Sequence, residues 1–178
     1  LRERSLVAAS FGKILHATGW KIGYIIAPKN WTDEIRKVHQ YDVFSTGAPF
    51  QEGIARFLSS ASGQAHLSEL APFYQEKRDR LLKGLAGSQW RFEPAEAGYF
   101  QVLDYSAFGE RDGRTVAQSW CKQPKGLGIA LIPLSPFYPA QDSSLKPPQK
   151  VRVCFAKNTA TLDEGIQRLL HLPSLQKK

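Results

Sequence analysis

Methionine is absent from this sequence, and cysteine occurs only twice, at Cys121 and Cys154. The two cysteines lie far apart without metal-type spacing, so they read as reduced and structural, in a cytoplasmic setting. The four histidines are scattered, which argues against a zinc site. Long apolar runs are missing as well. The longest resemble "GYIIAP" and "GIALIPL", whereas a bilayer span needs roughly 20 residues, so no membrane role is expected. The opening "LRERSLVAAS" has too short an apolar part for a secretory signal. It also lacks an initiator Met, and the chain is expected to be a piece of a longer protein. There is no internal repeat and no low-complexity segment.

What is present fits a soluble globular protein. The 178 residues suffice for one domain or a domain and a half, and 42% of them are hydrophobic and 22% charged. The net charge of +8 raises nucleic acid as a partner. However, "EIRKVHQY" and "YQEKRDRLLKG" mix both signs at helical spacing, as solvated helix faces do. No nucleic-acid motif accompanies them, so small anions bound locally are expected instead.

Hydrophobic periodicity predicts strands alternating with helices. Residues 20 to 27 read as a strand with Trp20, Ile22, Tyr24 and Ile26 on one face and Lys21 and Gly23 on the other. Helices are expected after Asn30, over about 49 to 60, and over about 64 to 86. The last has Leu67, Leu70, Tyr74, Leu81 and Leu85 as its apolar stripe and a kink or split at Pro72. "WRFEPAEAGYFQVLDYS" reads as two short strands, "TVAQSWCKQ" as a helix, and "GIALIPL" and "KVRVCFA" as strands. "FYPAQDSSLKPPQ" reads as a loop. "TLDEGIQRLLHL" reads as a closing helix, with Thr161 and Glu164 at capping-box spacing and Leu162, Ile166, Leu169 and Leu170 buried. Residues 1 to 70 then look like the end of one domain and 71 to 178 like a smaller α+β domain, with the long helix joining them.

The stretch "SFGKILHATGWKIGY", residues 10 to 24, sets two lysines around a turn-prone aromatic segment. A free lysine has a pKa of about 10.4 and must lose its proton before it can attack a carbonyl. Desolvation or a nearby positive charge would help, and Lys21 could supply that charge. Gly12 would allow close approach to the backbone. A phosphate held by Ser10 and Lys21, with Lys13 on an aldehyde carbon, is the wiring of a pyridoxal phosphate site. From spacing alone the plain alternative stays open: two exposed lysines and an ordinary turn serine.

The same stretch resembles the lysine segment of fold-type I pyridoxal-phosphate aminotransferases, Ser-x-x-Lys followed by a cation eight residues later. Its Thr-Gly-Trp-Lys-x-Gly form is similar to the subgroup of kynurenine, glutamine–phenylpyruvate and bacterial methionine aminotransferases. "EIRKVHQYDVFSTGAPFQ", "FYQEKRDRLL", "GYFQVLDYSAF", "GIALIPLSPFY" and "VRVCFAKNTATL" resemble that subgroup in the same order. "EIRKVHQY" and "DYSA" are most like the methionine branch. The resemblance implies an α/β, aspartate aminotransferase-like fold: the end of the large pyridoxal-phosphate domain followed by the small α+β domain.

By that resemblance Lys13 joins covalently to the cofactor and moves a proton at the substrate Cα, while Ser10 and Lys21 bind the cofactor phosphate. Many relatives carry Arg at the Lys21 position. Lysine keeps the charge and loses the fork geometry. Arg152 matches the arginine that grips the substrate α-carboxylate, and strand alternation sets it opposite Val151, Val153 and Phe155. Tyr41 and Phe44 match aromatic positions near the substrate pocket, often contributed by the partner of a homodimer. For Tyr41 a core cluster at a helix end is the equal alternative. Where relatives have Gly-Gly or Gly-Thr before "YF", this chain has Ala97-Gly98.

Family members are much longer, with this lysine past their middle. The preceding half supplies the aspartate at the ring nitrogen and the aromatic that stacks on the ring. Alone, the present span is expected to be a poor catalyst or none, and not to transaminate by itself. The implied activity is amino transfer from methionine or an aromatic amino acid to a 2-oxo acid. Two alternatives keep the fold: an effector-sensing domain of a transcription regulator, and a C–S β-lyase using the same Lys13.

Overall fold

The computed structural model describes residues 2–109, 112–122, 128–138 and 148–171. The chain divides into two compact units, Leu1–Ala71 and Pro72–Lys178.

The first unit opens with a 3-10 turn, Arg2–Arg4. Strand β1 (Val7–Ser10) runs straight into a one-turn helix, α1 (Phe11–Ile14), and a second 3-10 turn, Thr18–Trp20, leads to β2 (Gly23–Ile26). The strands pair antiparallel, Val7 opposite Ile26 and Ser10 opposite Gly23. Glycine is required at position 23, because a Cβ there would lie 2.5 Å from the Ala9 carbonyl oxygen. Helices α2 (Lys29–Asp42) and α3 (Ala48–Ser59) follow, and then the N-terminal part of α4 (Ala61–Leu85). The α3–α4 reversal is tight. Ser60 Oγ accepts the Gly63 N–H at 3.1 Å, and a Cβ on Gly63 would collide with Phe57 O.

Little of this unit is buried. Ile22 and Ile54 are its buried large apolar residues, while Val7, Tyr24, Ile25 and Ile26 of the ribbon are exposed. A two-stranded ribbon is marginal by itself, so these apolar groups call for a covering that the described residues do not provide.

The second unit holds the core. It comprises the rest of α4, β3 (Phe100–Asp104), α5 (Gly113–Cys121), β4 (Ile132–Pro133), β5 (Lys150–Cys154) and α6 (Thr159–Leu170). The sheet is antiparallel in the order β3-β5-β4. Leu103, Val151, Val153 and Phe155 form its packed face, against Leu81 and Leu85 of α4, Val116 and Trp120 of α5, and Leu162, Ile166 and Leu169 of α6. Gln101 is fully buried on that face and is satisfied there. Its Oε1 accepts from Ala95 N and its Nε2 donates to Glu93 O and Val102 O. Trp90 Nε1 donates to Leu169 O at 3.0 Å, occupying a carbonyl that the end of α6 leaves over.

Several expectations need correction. The strand starts at Gly23 rather than at residue 20, because Lys21 has left-handed dihedrals (φ 56°, ψ 38°) and Trp20 ends a 3-10 turn. Helix α4 passes through Pro72 as one element, so the helix is not split there. Pro72 and Ser68, whose carbonyl loses its helical donor, are both exposed, so water can satisfy the lost bond. Leu67 is 39% exposed, so it is not part of a buried stripe. Of the two strands expected in 90–106, the first reduces to a single bridge, Arg91 with Asp104. The cap of α6 is Asn158, whose side chain accepts from Thr161 N at 2.8 Å, so Thr161 is the third helical residue. Leu170 is 42% exposed and lies off the buried side. Most of the expected Pro/Ser-rich loop, 139–147, lies outside the described residues.

The capping difference can be measured. Asn158→Ala is expected to cost about 1 kcal/mol, read from amide exchange in α6, and Thr161→Ala clearly less.

Candidate active site

Helix α1 is a single turn, too short to be stable by intrinsic propensity. Its hydrogen bonds can be accounted for atom by atom. At the N-terminus Ser10 is the cap, with extended dihedrals (φ −130°, ψ 136°), and its Oγ accepts the Gly12 N–H at 3.1 Å. The Phe11 N–H is taken by Ile22 O at 3.0 Å, from the residue just before β2. At the other end, Phe11 O accepts from Leu15 N at 2.9 Å and Lys13 O from His16 N at 3.5 Å. Gly12 O accepts from Thr18 Oγ1 at 3.2 Å, and Ile14 O accepts from His66 Nε2 at 2.7 Å. Every carbonyl of the turn that carries Lys13 is therefore occupied.

The antiparallel register brings the two lysine-bearing segments to one end of the ribbon. Chain leaving β1 at Ser10 enters α1, and chain arriving at Gly23, directly opposite, has just passed Lys21. Ser10, Lys13 and Lys21 are all exposed. Lys21 lines a cleft of about 520 Å³ between the ribbon and α2, together with Arg36 and His39. Ser10 and Lys13 are not in its walls. The Ser10 hydroxyl donates only a long, 3.5 Å bond to Ile22 O, leaving its proton weakly committed.

Tyr41 and Phe44 stand at the C-terminal end of α2, 86% and 84% exposed. Among the described residues Tyr41 does not pack into a core cluster at the helix end. Phe44 has φ 65°, an unusual conformation for a bulky residue.

Arg152 belongs to the second unit. Strand β5 alternates as the pattern requires, with Val151 and Val153 on the core face and Lys150, Arg152 and Cys154 on the other. Across the sheet Arg152 faces Val102 on one side and Ile132 on the other. Its guanidinium lies 4.1 Å from the centre of the Phe100 ring and 5.7 Å from that of Phe137. Nε is buried and has no hydrogen-bond partner, and no carboxylate among the described residues pairs with the group. A half-buried, ring-flanked guanidinium whose Nε is an unmet donor is matched to an incoming anion. The two phenylalanines escaped sequence reasoning. Phe100 reaches Arg152 diagonally across the ladder, which only the register reveals. Thr18 and His66 were missed likewise, although Thr18 lies inside the stretch that drew attention.

The first unit thus holds a strand-to-turn lysine with a serine cap and a returning cation, and the second an arginine on the open face of a small antiparallel sheet. The family model for aminotransferase class I and II matches residues 2–169, and the chain belongs to that family. The particular relatives narrow the branch. Methionine aminotransferase of Escherichia coli is 41% identical over 172 residues, covering 97% of this chain and 42% of the relative. Kynurenine–oxoglutarate transaminase of Dictyostelium discoideum is 32% identical, with 96% of this chain and 42% of the relative covered. Among solved structures, YbdL of E. coli, described as having a methionine aminotransferase function, superposes with a TM-score of 0.84 at 40% identity. That match covers 97% of this chain and 43% of the solved one. The fold is that of aspartate aminotransferase-type, pyridoxal-phosphate-dependent enzymes. The chain spans less than half the length of these relatives.

Removing the cap tests the α1 accounting. Ser10→Ala is expected to expose the Gly12 amide, raising its hydrogen-exchange rate by about fivefold, the equivalent of about 1 kcal/mol. Amides in the middle of α2 are expected to be unaffected.

Proposed function

We propose that this chain is the lysine-bearing part of an aminotransferase that moves the amino group of methionine or an aromatic amino acid to a 2-oxo acid. The observation that carries the reading is the braced single turn that presents Lys13, with Ser10 at its cap and Lys21 returning beside it. The donor set suits a phosphorylated aldehyde: an amine, a hydroxyl with a weakly committed proton and a second cation.

Pyridoxal phosphate, when bound, supplies an aldehyde carbon for an amine and a ring that withdraws electrons from the substrate Cα. The remaining work falls to side chains. Lys13 Nζ holds the cofactor and carries the proton to and from Cα. Ser10 Oγ and Lys21 Nζ take the phosphate. The lysine acts there as a point charge rather than a fork. Arg152 takes the α-carboxylate through two parallel hydrogen bonds, satisfying the Nε that is otherwise orphaned. Phe100 and Phe137 limit the swing of the guanidinium, so the carboxylate fixes the direction of the Cα–H bond. Tyr41 and Phe44 offer apolar rings to a thioether or aromatic side chain.

A homodimer belongs to the same reading. Two fully projecting aromatic rings, one on a left-handed residue, incur a solvation and a backbone cost of about 1–3 kcal/mol that a partner surface would offset. The exposed ribbon is consistent with coverage by the rest of a longer polypeptide. No helix among the described residues is long and apolar enough to cross a membrane. We place the protein in the cytoplasm, a setting in which its two free cysteines would stay reduced.

Turnover of methionine with a 2-oxo acid by the full-length protein tests the proposal. Lys13→Ala is expected to remove it, and turnover within tenfold of wild type would overturn the reading. Arg152→Lys is expected to raise the amino acid KM by about tenfold or more, since a charged bidentate contact is worth about 1.5–3 kcal/mol.

A further inference from the structure

The four carbonyls of α1 are not held alike. Three take donors from residues 15 to 18, within the same local loop, at 2.9, 3.2 and 3.5 Å. The fourth, Ile14 O, takes the shortest bond, 2.7 Å, from a residue 52 positions away: His66 of α4. Ile14 directly follows Lys13. A carbonyl oxygen can only accept, so His66 Nε2 carries the proton in this contact. The ring also packs edge-on against His16, with centroids 5.4 Å apart, and lies 5.9 Å from the Phe57 ring. His16 has φ 55°, the left-handed conformation that turns the chain after α1. His66 thus touches both the last carbonyl of the lysine-bearing turn and the residue that terminates it.

We propose that His66 is a positioning residue for Lys13. Local contacts alone fix a loop relative to itself. Of the bonds to the four carbonyls, the one from His66 ties the turn to a separate, long helix, and so steadies the direction in which Lys13 is presented. His66 never touches the reacting atoms. It acts through Ile14 O and His16. The inference rests on the proposed role of Lys13, and it reaches beyond the lysine motif to a residue outside that motif.

The test uses the full-length protein with His66→Leu, which fills the space without a donor, and His66→Gln, whose Nε2 restores one. His66→Asn serves as a second donor, too short to reach. In cofactor-free protein, amide exchange of the peptide covering 11–16 is expected to rise about tenfold in His66→Leu and to return to near wild type in His66→Gln. Borohydride trapping of pyridoxal phosphate, followed by peptide mapping, is expected to show slower labelling of Lys13 in His66→Leu and recovery in His66→Gln. Should His66→Leu fail to fold, Gln against Asn decides by the same readouts. Unchanged exchange at 11–16 in the donorless variant, or no recovery with Gln, overturns the proposal. Wild-type labelling at some lysine other than Lys13 would instead sink the functional reading, while the exchange result would still judge the His66 anchor.

Discussion

One turn of helix cannot hold itself, and the proposed chemistry of this chain depends on one. With four residues, α1 forms too few internal bonds to offset the ordering of its backbone. Its geometry is therefore imposed from outside: by the Ser10 cap, by Ile22 O across the ribbon, by Thr18, and by His66. Each of those partners braces the turn from which Lys13 projects. The antiparallel pairing that sets Ser10 against Gly23 is the origin of that register, since it also returns Lys21 to the same end.

The second unit solves a similar problem with a conventional core. Its sheet buries one face, and strand alternation then obliges Arg152 to emerge on the other. Among the described residues, rings rather than carboxylates surround the guanidinium, so none of them neutralises its charge. An ion-paired arginine would be a structural element. One whose Nε is buried and unsatisfied keeps its capacity for an anion. The two units thus differ in kind: one is a well-packed body, and the other is a ribbon and helices whose apolar groups remain open.

Sequence reasoning reached the elements with strong periodicity. Helices α2, α3 and α6 and strand β5 fall close to where the hydrophobic pattern sets them, and the outward direction of Arg152 follows from alternation alone. It failed where a single dihedral overrides pattern. Residues 20 to 26 alternate as a strand should, but the left-handed Lys21 breaks the strand before it can begin. At α6 the cap is Asn158, three residues before Thr161, and it accepts from Thr161 N, so the capping-box spacing at Thr161 was coincidental. The one-turn helix itself has no periodic signal. Lys13 became visible only through its motif and the family it resembles. The long-range contacts, His66 to Ile14 O and Phe100 to Arg152, depend on tertiary register and leave no local trace.

The central claim is that the amine of Lys13, and no other, receives the aldehyde. The direct measurement is borohydride reduction of the full-length protein with stoichiometric pyridoxal phosphate, followed by digestion and mass mapping. The account predicts a single modified lysine, in the peptide containing "SFGKIL". Modification centred on Lys21, or spread across the surface lysines, would contradict it.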